Sequence, residues 1–178
     1  MAQLTINLSA IKANYKTLQD KVGKNCEVSA VVKANAYGLG VGPVAETLQK
    51  AGCKTFFVAT LPEAIELRLI LGDEPTIAML NGYQDKASTL YRENNITPVL
   101  NDHGELKDYK IRGKNLPAII HFDTAMNRLG MDAKDITQDD LRDLDVKYIM
   151  SHFASSEDPD SDLNVQQANK FREISAQY

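Results

Sequence analysis

The chain has 178 residues, of which 43% are hydrophobic and 25% charged, a balance that suits one ordinary domain with its own core. Twenty basic and twenty-four acidic residues leave a formal net charge of −4, which excludes a basic footprint for nucleic acid and a polybasic membrane patch. No apolar run approaches transmembrane length, the first residues lack the regions of a signal peptide, and the two cysteines, Cys26 and Cys53, form neither a disulfide framework nor a metal cluster. Both cysteines sit among apolar neighbours, and a reduced, cytoplasmic protein is the simplest reading.

In chain order, Leu4, Ile6 and Leu8 alternate with polar residues and predict a half-buried strand. Ser9 can then cap a helix with Ile11, Tyr15, Leu18 and Val22 on its apolar face. From Cys26 onward, apolar strands are predicted at Val28–Lys33, Thr55–Ala59, Thr76–Leu80, Ile96–Leu100, Pro117–Phe122 and Val146–Ser151, with helical segments between them. Pro43 marks a helix start and Gly52 its end, Thr60 and Glu63 form a capping box closed by Gly72, and Asn101 or Asp102 can cap the helix that follows. Leu163–Tyr178 predicts a last helix with Val165, Ala168 and Phe171 near one face. Strands recurring once per βα unit fit either an open doubly wound sheet or a βα-barrel, and periodicity does not choose between them.

The stretch from Ala30 to Gly40 carries the chemistry. Ser29, Val31 and Lys33 share one strand face and Ala30 and Val32 the other, both largely apolar, as in a parallel strand covered on both sides. Burying an ammonium is costly, so a lysine there is pushed toward its neutral, nucleophilic form and suits a Schiff base with pyridoxal phosphate, while a lysine snorkelling to solvent is the bland alternative.

Three segments settle on one family. Lys33-Ala34-Asn35-Ala36-Tyr37-Gly38-Leu39-Gly40 resembles the cofactor-lysine segment of alanine racemases. Asp123-Thr124-Ala125-Met126-Asn127-Arg128-Leu129-Gly130 resembles that family's Asp-Thr-Gly-Met-Asn-Arg-Leu-Gly signature, and Ser151-His152-Phe153-Ala154 its Ser-His-Phe-Ala segment. The resemblance covers essentially the whole chain but only the first part of a family member. It implies a pyridoxal-phosphate-binding (β/α)8 TIM-type barrel, incomplete at about six of eight units, with a C-terminal β domain absent. It further implies that residues 1–8 form a strand pairing with that domain.

The resemblance also assigns roles. Lys33 would be the Schiff-base lysine and one of two bases that interconvert L- and D-alanine, and Arg128 the arginine near the substrate carboxylate and the cofactor's phenolic oxygen. Tyr37 would bind the cofactor phosphate, His152 would lie against its ring, and Leu80 would supply an apolar wall. No metal is implied. Without the resemblance, Tyr37 reads as a rim aromatic, His152 as structural, and Arg128 as the partner of Asp123 or Asp132. The opposite base, a tyrosine of the other subunit, falls in the missing domain of a homodimer, so this chain alone is expected to be inactive. The complete protein would supply D-alanine for the bacterial peptidoglycan; a non-catalytic cofactor-binding module or a racemase for another small amino acid are the alternatives.

The pattern is departed from at three positions, tolerably at the first and with more weight at the other two. Leu39 replaces a common histidine. His121 stands where many members carry a carbamylated lysine that orients the arginine, and its protonated form is disfavoured beside Arg128. Ala125 replaces a glycine, so a positive φ there would be strained.

Overall fold

The computed structural model describes residues 3–113 and 115–178. It divides into two compact units, one running to Leu80 and including Leu90–Thr97, the other formed by Asn81–Thr89 and Pro98–Tyr178.

Helix α1 (Leu8–Val22) opens the chain. The strand expected over residues 1–8 does not form in the described part: residues 3–7 are irregular, Leu4 is exposed, and Leu8 is already helical. Strand backbone needs a hydrogen-bonding neighbour, and none lies alongside among the described residues. The cap is Asn7, not Ser9, because its Oδ1 accepts the Ala10 N–H at 3.0 Å. Of the apolar positions of α1, Tyr15 is buried, whereas Leu18 and Val22 are exposed.

Strand β1 (Ala30–Val31), turn α2 (Lys33–Tyr37), helix α3 (Val41–Lys50), strand β2 (Thr55–Val58), helix α4 (Leu61–Leu71) and strand β3 (Thr76–Met79) follow. β1 pairs parallel with β2, with Ala30 opposite Phe56, and β2 pairs parallel with β3, with Phe56 opposite Ile77. Phe56, Val58, Ile77 and Met79 are fully buried together with Ala45, Ala64 and Leu67 of the helices. The sheet of this unit is therefore apolar on consecutive positions, as a covered parallel sheet requires. β1 departs from that expectation, since Ala30 and Val32 are buried but Val31 is 46% exposed. Apolar patterning reports which side chains can be covered, not whether anything lies over them. Cys53 is buried as read, whereas Cys26 is exposed.

Arg68 of α4 is the buried charge of this unit. Its guanidinium donates to the carbonyls of Asn94 (2.9 Å), Gly72 (2.7 Å), Pro75 (3.0 Å) and Asn95 (2.7 Å), so the fork of donors holds two loops, 72–75 and 94–95. Burial pushes its pKa down, with Asp73 opposing.

The chain continues through helix α5 (Ser88–Glu93), strand β4 (Ile96–Leu100), helix α6 (His103–Arg112), strand β5 (Pro117–His121), helix α7 (Gln138–Leu141), strand β6 (Asp145–Met150) and helix α8 (Asp162–Ser175). β4 pairs parallel with β5, with Val99 opposite Ile119, and β5 with β6. A register shift between Ala118 and Ile119 brings His121 opposite Met150. Ile119, Ile120, Phe122, Val99 and Leu100 form the centre of this core, and Tyr83 packs edge-on against Tyr109 at 5.2 Å. In α8 the buried positions are Gln167 and Ile174, while Val165 is 60% exposed. Each of the six predicted strands is present, within about one residue at either end for all but β1, which is shorter by two residues at each end. No helix among the described residues is long and apolar enough to cross a membrane.

Candidate active site

The residues singled out in the sequence all follow the C-terminal ends of strands. Lys33, half-buried, is two residues past β1 and opens turn α2, which Tyr37 closes; Leu80, half-buried, follows β3 directly. Arg128 lies in the loop after β5, and His152 is two residues past β6; both are exposed.

Turn α2 is left-handed. Ala34, Asn35, Ala36 and Tyr37 have φ of 52°, 54°, 53° and 55°, continuing into Gly38 at 84° and Gly40 at 91°. A non-glycine residue in this region costs on the order of 1–2 kcal/mol, so four in succession must be held by their surroundings. Glu63 does much of the holding. One of its oxygens accepts the Ala34 N–H at 2.8 Å, and the other accepts the N–H groups of Ala59 (2.8 Å) and Thr60 (3.0 Å). The capping box at Thr60 thus reaches past its own helix to the peptide next to Lys33. Burial raises the pKa of Glu63, but the N–H groups of Ala34, Thr60 and Ala59 outweigh it and the net shift is downward. Asn35 adds a second clasp, its Oδ1 accepting the Val41 N–H at 2.7 Å.

The glycines after the turn give it positive φ rather than a cradle of free amides. The N–H groups of Gly38, Leu39 and Gly40 bond the carbonyls of Ala34, Ala36 and Asn35. Among the side chains of this segment, Tyr37 is 63% exposed.

The loop carrying Arg128 is built with similar care. Asp123 Oδ1 accepts the N–H groups of Ala125 (3.2 Å), Met126 (2.9 Å) and Asn127 (3.1 Å). The loop then returns onto β5, where Met131 N–H reaches the His121 carbonyl at 2.8 Å. At Gly130 a Cβ would lie 2.7 Å from the Asp123 nitrogen, so only glycine fits. Ala125 adopts φ 95°, the strained conformation expected where glycine is replaced. The ion pairs considered for Arg128 are not made among the described residues: Asp123 is committed to the loop backbone, and Asp132 pairs with Lys134 at 2.8 Å. Arg128 instead shares a cavity of about 390 Å³ with Asn81, Asn101 and Glu105.

Asn101 is a residue whose role sequence reasoning missed. Asp102 caps α6, its Oδ1 taking the Glu105 N–H at 2.9 Å. Asn101 is buried and turns its Oδ1 to His121 Nδ1 at 2.8 Å, while its Nδ2 donates to the Val99 carbonyl at 3.2 Å. An acceptor facing Nδ1 places the imidazole hydrogen there and leaves Nε2 as an acceptor in the neutral ring. Burial lowers the His121 pKa, His152 and Arg128 lower it further, and Asp123 opposes them. The second unit therefore brings Arg128 and His152 within electrostatic reach of His121.

The family of the alanine racemase N-terminal domain matches residues 6–178. The chain belongs to that family. The alanine racemase of Rickettsia prowazekii strain Madrid E is 42% identical over 181 residues, spanning 97% of this chain and 45% of that protein. That of Rickettsia typhi is 40% identical, with 97% and 45% covered. In structure, the chain is similar to an alanine racemase from Bartonella henselae with covalently bound pyridoxal phosphate, at TM-score 0.90 and 40% identity, covering 97% of this chain and 52% of that one. The alanine racemase of E. faecalis follows at TM-score 0.86 and 25% identity, with 97% and 49% covered. The chain thus spans about half the length of the curated relatives it matches. The six parallel strands among its described residues match the alanine racemase N-terminal α/β barrel, a fold that has eight when complete.

Proposed function

We propose that this chain is the cofactor-lysine part of an alanine racemase that interconverts L- and D-alanine with pyridoxal phosphate. The observation that carries the reading is the placement of Lys33 at the head of a strained turn whose first peptide is fixed by the Glu63 carboxylate. Such strain persists where the surroundings over-determine it, as at sites where a side chain must be aimed. The Bartonella henselae relative, with its covalently bound pyridoxal phosphate, supports the same cofactor here.

Each unit offers groups that suit an anionic aromatic aldehyde. The first unit offers a primary amine at Lys33, a phenol at Tyr37 and an apolar wall at Leu80; the second offers a guanidinium at Arg128 and an imidazole at His152. Bound covalently through Lys33 Nζ, pyridoxal phosphate would supply the electron sink for the pair left at an amino acid's α-carbon. Lys33 would anchor the cofactor and, once the substrate's amine had displaced it as a free amine, would serve as one base, receiving or returning the α-proton at Nζ. Tyr37 would donate its hydroxyl to the phosphate. Arg128, unpaired by Asp123 or Asp132, would present its planar fork to the carboxylate and the phenolic oxygen. His152 would lie against the ring. His121, neutral with its Nε2 free to accept, takes the place of an anion without adding a charge of its own. No residue of this chain is assigned as the second base. The complete protein is read as a cytoplasmic homodimer supplying D-alanine for peptidoglycan.

The test is to incubate the chain with pyridoxal phosphate, reduce with borohydride, digest, and locate the adduct by mass spectrometry, with Lys33→Ala as control. A stoichiometric adduct confined to Lys33 is the expected result. Labelling scattered over the other lysines, or none, would overturn the assignment of the cofactor site to this segment.

A further inference from the structure

We propose that Gln167 is a positioning residue, its carboxamide holding the backbone of His152 and the hydroxyl of Thr124 in one fixed arrangement. The value of this for cofactor binding rests on the reading of His152 given above.

Gln167 lies in α8 and is 1% exposed. A buried carboxamide is tolerated only when its donors and acceptor are all used. Here they are. Gln167 Oε1 accepts the Ala154 N–H at 2.9 Å, and Nε2 donates to the His152 carbonyl at 2.9 Å and to Thr124 Oγ1 at 3.2 Å. The carbonyl of residue 152 and the N–H of residue 154 are the pair that one residue of a neighbouring parallel strand would bond. The side chain of Gln167 thus acts as a single strand peptide alongside Phe153, extending the order of β6 past its last paired residue, Met150.

The third bond links the two signature segments. Thr124, 2% exposed, lies next to Asp123, the carboxylate that shapes the Arg128 loop. Its hydroxyl also meets Ser151 Oγ at 2.6 Å. One amide therefore fixes the peptide of His152 and, through Thr124, the root of the loop that carries Arg128. Because an imidazole is aimed by its own backbone, loosening the 152–154 segment should redirect His152 while leaving the fold standing.

The experiment uses the chain without cofactor and follows the His152 ring and the backbone amides by NMR. In Gln167→Leu the Ala154 amide is expected to exchange at least tenfold faster, the His152 ring resonances to shift, and its titration midpoint to move, while amides of α3 and α4 keep their protection. Gln167→Glu, isosteric and still an acceptor, supplies the second variant should the leucine form fail to fold. Its carboxylate cannot donate to the His152 carbonyl, so the same displacement is expected near neutral pH. Protonation of that carboxyl at low pH would return one donor and part of the wild-type signal. A folded variant of either kind with His152 resonances and midpoint unchanged would overturn the proposal, whatever its effect on overall stability. None of these readouts involves pyridoxal phosphate, so failure of Lys33 to take up the cofactor would count against the proposed function alone.

Discussion

Single residues in this chain are strained or fixed where chemistry is expected, and the strain at Ala125 is the simplest to test. Its φ of 95° falls where glycine is at home and alanine is not. Ala125→Gly is therefore expected to stabilise the protein by roughly 1 kcal/mol, net of the entropy glycine adds to the unfolded chain, as read by urea denaturation. An unchanged or lowered midpoint would mean that the loop draws compensating contacts from the alanine methyl. His121 illustrates how a sequence departure becomes intelligible only with its neighbour in view. The exchange of lysine for histidine was legible from the motif, but the tautomer depends on Asn101, twenty residues earlier and just past the end of β4. From sequence, Asn101 read only as one of two candidate helix caps, since its proximity to His121 arises from the pairing of β4 with β5.

At the scale of elements, helix α4 and turn α2 act as one piece because a single carboxylate bonds both. The capping box at Thr60 and Glu63 was readable from spacing, whereas the bond to Ala34 N–H required β1 and β2 to lie side by side. Glu63→Gln keeps the shape but turns one acceptor into a donor facing backbone N–H groups, so a loss of about 1–2 kcal/mol is expected at neutral pH. The sign with pH follows from the lowered pKa. The carboxylate contributes its full stability above the unfolded value of 4.5 and loses it as pH falls through the folded value, so the gap between wild type and variant should narrow below pH 4.5. Denaturation of both proteins from pH 7 down to pH 3 checks this; a gap constant with pH would mean that the charge is not what holds the turn. The left-handed sense of α2 was itself outside sequence reasoning, because Ala34, Ala36 and Tyr37 carry no local preference for positive φ.

For the whole molecule, the expected outcome is that the 178 residues alone show negligible racemisation. A two-base exchange needs a base on each face of the α-carbon, and only Lys33 is assigned here. Deuterium exchange at the α-carbon of alanine, followed together with the appearance of the opposite enantiomer, distinguishes one base from two. Robust interconversion would require a second base among these residues. The sequence by itself determined the alternation of strands and helices and the family, and it singled out Lys33, Tyr37, Arg128 and His152 for test, because periodicity and short motifs are local and survive in the order of the chain. Only the tertiary structure decided the hand of the turn after Lys33, the partner of His121, the failure of residues 3–7 to form a strand, and the clasp of Gln167 on two motifs. Each of these depends on hydrogen bonds or cover supplied from distant positions, and a buried polar group's partner is fixed by packing, not by its neighbours in sequence.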